Sequence, residues 1–149
     1  MIRGVSLQTV LDELLRRTGA SRATLRQAAP DEIFPLTHEA LAPDVASLRG
    51  VTAPNMARQP VVLEVAQGRQ VVQEDCRSLY ADDRAFHEML ELYGGMRAQI
   101  VTPVVRAGEI AAVISLHQLG RTRAWSEEEA ALCRAAAAEV AALLELADG

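Results

Sequence analysis

Apolar side chains recur every three to four residues at both ends of the chain, and at every second residue in several stretches between. Near the start, Leu7, Val10, Leu11, Leu14 and Leu15 share one face of a helix over residues 6–18, with Asp12, Glu13, Arg16 and Arg17 turned towards the other side. Gly19 is a natural stop. Residues 20–27 and 33–39 read as two short strands, the first setting Ala23 and Leu25 against Thr24 and Arg26. Five of the six prolines, Pro30, Pro35, Pro43, Pro54 and Pro60, mark residues 40–58 as irregular, with a short helical turn allowed near 44–48.

Pro60 suits the first turn of a helix, where its missing amide hydrogen costs little. That helix runs to about Ala66 and stops at Gly68. Residues 70–74 then read as a strand ending in Asp75 and Cys76, and Asp82 or Asp83 caps a helix through Tyr93, closed by Gly94-Gly95. The clearest signal is a hairpin, residues 96–105 and 109–119 joined by Arg106-Ala107-Gly108. Ser126 opens a long helix with Glu127, Glu128 and Glu129 at its positive end, and with Leu132, Val140, Leu143 and Leu144 on one stripe.

At 149 residues the chain is read as one domain, 1–149, large enough for a core without disulfides or metals. Half of it is apolar but only five residues are aromatic, so small aliphatics must fill the interior. A net charge of −5, with both signs interspersed, gives no electrostatic footprint for nucleic acid. All fifteen basic residues are Arg, which we attribute to coding bias. Cys76 and Cys133 are too far apart for a metal-ligand spacing, and no apolar run is long enough to span a membrane. With no signal peptide apparent, the expected location is cytoplasmic. Leu15, Leu144 and Leu146 widen the apolar stripes of the end helices, for a partner subunit (a homodimer through those helices) or for the core alone.

From Pro60 onward the order of signals resembles the GAF family of sensory domains. The residues that carry this are Gly68-Arg69-Gln70-Val71-Val72 with Asp75, then Gly95-Met96-Arg97-Ala98-Gln99-Ile100-Val101-Thr102-Pro103-Val104. The hairpin Gly108-Glu109-Ile110-Ala111-Ala112-Val113-Ile114-Ser115 follows, and Arg123-Ala124-Trp125-Ser126 leads into Glu127. The resemblance covers about two thirds of the chain. It implies an α+β fold: a central antiparallel sheet, the N- and C-terminal helices on one face, and a loop- and helix-covered ligand pocket on the other. Family members bind cyclic nucleotides, bilins, haem, small anions or metabolites, and a few reduce free methionine sulfoxide, so the ligand and any cofactor stay open.

Alternation along the hairpin sorts the pocket candidates. Arg97, Gln99, Val101 and Pro103 share one face, as do Val113, Ser115 and His117, while Ile110, Ala112, Ile114 and Leu116 suit packing under the helices. An apolar floor with Gln99, Ser115 and His117 converging on it is what a small-molecule site needs. Within the family, the run from His87 through Arg97-Ala98 to Leu116-His117 is similar to the phytochrome chromophore domain, which implies that His87 and His117 face one cavity. It departs where Cys76 precedes Arg77 rather than a histidine, where an aspartate-isoleucine-proline signature is missing, and at Val101, where the relative has serine. Arg97 and Asp75 either pair with a charged ligand or reach solvent and cap the loop. Cys76 completes the candidate set, although its acidic neighbours disfavour a reactive thiolate.

The reading is therefore a small-molecule sensory domain without catalytic or metal-ligating residues. The alternatives are a haem or bilin sensor, a ligand-free dimerisation module and, last, a methionine sulfoxide reductase. Lacking a kinase or DNA-binding region, such a sensor acts on a separate output protein or forms part of a longer one.

Overall fold

Ser6 starts the first helix, α1 (Leu7–Thr18), by a reciprocal cap: its hydroxyl accepts from the Thr9 amide at 3.2 Å and the Thr9 hydroxyl accepts from the Ser6 amide at 2.7 Å. Residues 5–148 are described in the computed structural model, so the outermost residues of the expected domain lie outside it. After α1 come β1 (Arg22–Gln27), β2 (Leu36–Leu41), α2 (Pro60–Val65), β3 (Val71–Gln73), α3 (Arg84–Leu92), β4 (Met96–Arg106), β5 (Glu109–Leu119) and α4 (Glu127–Asp148). The strands form one antiparallel sheet in the order β2-β1-β5-β4-β3.

Two apolar layers sandwich this sheet. On one face Leu11, Leu14, Cys133, Ala137 and Val140 of α1 and α4 pack on Ala23, Leu25, Ala98, Ile100, Ala112, Ile114 and Leu116. On the other, Val61, Val65, Phe86, Met89 and Leu90 of α2 and α3 join Met96, Val101 and Val113. Trp125 donates its indole N–H to the Gln73 carbonyl at 3.1 Å and so ties the entry of α4 to β3. The fold is the expected α+β arrangement with both terminal helices on one face. Cys76 and Cys133 are free thiols in opposite layers, so they form no disulfide.

Several boundaries differ from the sequence reading, each for a local reason. The second strand, expected over 33–39, begins only at Leu36, because Pro35 has no amide to donate and Phe34 turns back at φ 46°. It continues through Ala40 and Leu41, which were expected to be irregular but pair with Ala23 and Arg22. No helical turn forms near 44–48: Asp44 takes φ 67°, and a tight turn closes from the Val45 amide to the Ala42 carbonyl. A short 3-10 turn at Met56–Arg58 lies further on, and another follows β3 at Cys76–Ser78.

Two bulges also re-aim side chains. At the start of β4, Met96 pairs with Leu119 and Ala98 with Gln118, leaving Arg97 as the extra residue. Met96 thereby enters the α2–α3 layer. At the other end Val104 pairs with Ala112 and Val105 with Ile110, so the bulge turns Ile110 away from the helical face, where alternation had placed it, towards the opposite layer.

Candidate functional site

The sheet face opposite α1 and α4 carries its polar residues in rows across the strands. Arg22, His117, Gln99 and Gln73 are successive register partners on β1, β5, β4 and β3, and each is at least 96% buried. The next row sets Thr24 beside Ser115 and Val101. Strand alternation puts all of these on one side. α2 and α3 bridge over them, and a cavity of about 70 Å³ remains beneath.

β5 contributes Val113, Ser115 and His117 to its wall, β4 contributes Gln99 and Val101, and β1 contributes Thr24 and Arg26. Val61, Val62, Val65, Met89 and Tyr93 supply an apolar roof, and Ile33, Phe34, Met56 and Gln59 form a partly open edge. The imidazole, hydroxyl and amide expected to converge do line one hollow.

Arg22 organises the deepest part. The residue is 1% exposed, and its guanidinium donates to three uncharged acceptors, His117 Nδ1 at 3.0 Å, the Tyr93 carbonyl at 2.7 Å and the Ala46 carbonyl at 3.3 Å. Because Nδ1 accepts, the neutral His117 carries its proton on Nε2. Burial, then the positive charges of Arg22 and Arg26, hold His117 well below the ordinary imidazole range, and burial draws Arg22 itself down to about 10. The Tyr93 ring stacks on His117 with centroids 5.8 Å apart, and its hydroxyl accepts from Arg26 at 3.3 Å.

Two wall atoms are buried without a hydrogen-bond partner, Thr24 Oγ1 and Gln59 Oε1. The Gln59 amide nitrogen donates to the carbonyls of Pro54 at 2.8 Å and Ala85 at 3.2 Å, which fixes its orientation and leaves the oxygen unserved. Each such atom costs about 1–3 kcal/mol when nothing binds it. The cavity is thus mostly apolar but has polar atoms that want partners.

Four expected site residues lie elsewhere. α3 turns Phe86, Met89 and Leu90 to the sheet, so His87, about 100° round the helix from Phe86, falls outside. Its Nε2 lies 2.8 Å from the Leu79 carbonyl, beside a shallow surface depression. Arg97, displaced by the bulge, reaches to within 4.0 Å of Asp75 Oδ1, so these two face each other and not the cavity. Cys76 is fully buried against Gln73, with its thiol pushed up to about 12 by burial and by Asp75.

Thr24, Arg26, Gln59 and Tyr93 were missing from the sequence-based set. The alternation that separated Thr24 and Arg26 from Ala23 and Leu25 was visible, but the pairing of β1 with β5 was not. Among the described residues no cluster of three or more His, Cys, Asp or Glu side chains could hold a metal ion, and no helix is long and apolar enough to cross a membrane.

An antiparallel sheet with terminal helices behind and a covered cavity in front defines a class of small α+β domains. The chain belongs to the GAF domain family, whose model matches residues 4–144. No curated protein matches it. Solved structures do. The cyanobacteriochrome TePixJ GAF domain superposes with a TM-score of 0.81 at 18% identity, over 97% of this chain and 96% of that one. GAF3 of Slr1393 from Synechocystis sp. PCC6803, in its photoproduct state, gives 0.75 at 18% identity over 94% and 92%. A phycoerythrobilin-bound GAF domain from a cyanobacterial phytochrome gives 0.76 at 17% identity over 93% and 82%. At such identities the likeness speaks for the fold.

Proposed function

We propose that this GAF domain is a non-catalytic, cytoplasmic sensory module that binds a small molecule between the sheet and the α2–α3 cover. The observation that carries the reading is the buried wall of Gln99, Ser115 and His117 with two orphaned polar atoms, Thr24 Oγ1 and Gln59 Oε1, among the cavity's lining residues. A ligand that supplies their partners removes a penalty the empty fold bears. The absence of catalysis is supported by Cys76, whose buried, raised thiol lies outside the cavity. Thermal-shift screening against metabolites, nucleotides and anions tests the reading. Stabilisation by one class, lost in Ser115→Val, is expected, and a flat response across the panel contradicts it.

A bilin or haem sensor is the second reading, favoured by the bilin carried by a structural relative. A tetrapyrrole does not fit about 70 Å³, so the cover would have to move outward to admit one. A visible absorption spectrum of protein produced with haem and bilin supplied separates the two readings.

The proposal includes a homodimer through α1 and α4, acting on a separate output protein. A groove of about 270 Å³ between these helices has Val10, Leu14 and Leu132 at its base and Glu13, Arg17 and Glu139 beside them. Two copies related by a twofold axis can pair those charges.

A further inference from the structure

The cavity is electrostatically one-sided. Arg26 is its charged wall residue, and its lining includes no Asp or Glu among the described residues. Behind it lies Arg22, buried with only uncharged acceptors. The nearby Glu39 is occupied elsewhere: it accepts from the Ser47 hydroxyl and from the Leu48 amide at 3.1 Å, and lies 3.7 Å from Arg49. Two guanidinium groups, Arg22 buried and Arg26 half-buried, therefore bias the cavity towards positive potential, with Glu39 offsetting part of the Arg22 charge.

The polar atoms have matching character. Arg26 uses two of its five N–H groups, on the Phe34 carbonyl at 3.2 Å and the Tyr93 hydroxyl at 3.3 Å, both neutral and both long. Thr24 brings an unpartnered hydroxyl, Ser115 a second hydroxyl and His117 its Nε2–H. Gln59 Oε1 is the exception, an acceptor, which a single water beside the ligand would serve. Size sets a further limit. An apolar cavity of about 150 Å³ accommodates the six heavy atoms of benzene, so about 70 Å³ suits roughly three or four.

We propose that the cavity binds a compact oxyanion of about three or four heavy atoms, anchored by Arg26 and hydrogen-bonded by Thr24, Ser115 and His117. This rests on the small-molecule reading above and names its ligand class. The anion takes Arg26 from two neutral oxygens, and one of those belongs to Phe34, which sits at the cavity edge with φ 46°. Occupancy is thereby coupled to the backbone that covers the site.

The test is a titration of the full chain followed by ¹H–¹⁵N NMR, with sodium formate, nitrate and acetate as probes. Sodium gluconate, too large to enter, keeps ionic strength constant, and acetamide serves as the neutral isostere of acetate. At least one oxyanion is expected to shift the amides of β1 and β5 saturably, with acetamide at least tenfold weaker than acetate. Arg26→Gln is expected to weaken binding by about 10- to 100-fold, as loss of a charge-assisted bond implies, while Arg26→Lys retains the preference for anions. If Arg26→Gln fails to fold, Thr24→Val keeps the shape and is expected to weaken binding about fivefold or more. Acetamide binding as well as acetate, or anion binding unchanged in these variants, overturns the proposal. So does a panel in which only neutral compounds stabilise the protein, and the cavity then remains a binding site for another class. Failure of every compound, charged or neutral, removes the site reading itself.

Discussion

His117 is the residue on which the site turns. Its folded-state pKa is lowered by burial and by Arg22 and Arg26 on β1. The unfolded chain therefore takes up a proton near pH 6.5 that the folded one refuses, and stability falls as pH drops below that value towards the depressed folded pKa. Above about pH 6.5 the contribution is fully present. His38 is shifted in the same direction, so wild type must be compared with His117→Gln, which keeps an acceptor for Arg22. Urea denaturation between pH 5 and 7.5 is expected to show a steeper slope for the wild type, by up to about 1.4 kcal/mol per pH unit. Equal slopes would mean that His117 takes up its proton at the same pH in the folded and unfolded chain. Arg22→Met leaves three acceptors unserved and is expected to cost about 3 kcal/mol or more by the same method. The placing of His117, Ser115 and Gln99 was legible because a strand fixes direction by parity alone. His87 was not, since a helical residue's direction depends on which face its neighbours bury, and Phe86, Met89 and Leu90 decide that.

At the scale of elements, the helix and strand order was readable from periodicity and from Gly and Pro punctuation, whereas the bulges were not. A one-residue insertion in a ladder leaves no local mark in sequence, yet it moved Arg97 off the cavity and turned Ile110 over. The β4–β5 turn offers a direct check on backbone reasoning. Ala107 and Gly108 both have positive φ, 51° and 78°, the signature of a type I′ turn that favours Asn-Gly. Ala107→Asn is expected to raise stability by about 0.5–1 kcal/mol in thermal or urea unfolding, because a left-handed alanine is strained. A loss of stability would mean that this turn adopts another geometry in solution.

For the whole molecule, the sheet divides two differently covered faces. One face packs on α1 and α4 and leaves Leu146 63% exposed near the chain end, and the other encloses the cavity. Light scattering is expected to give a dimer mass, reduced to a monomer by Ala135→Arg in the α1–α4 groove, and a monomeric wild type would remove that interface. The overall layering was legible in the ordered signals from Pro60 onward, but the pairing of β1 with β5 and the cover at Phe34, Met56 and Gln59 were not, because they depend on contacts between distant segments. The most direct measurement is a high-resolution crystal structure of protein purified under native conditions. Ordered density, within hydrogen-bonding distance of Thr24 Oγ1, Ser115 Oγ and His117 Nε2, is expected between the sheet and α2–α3. A dry, collapsed interior there, or Ser115 and His117 turned to solvent, would contradict a binding site on this face.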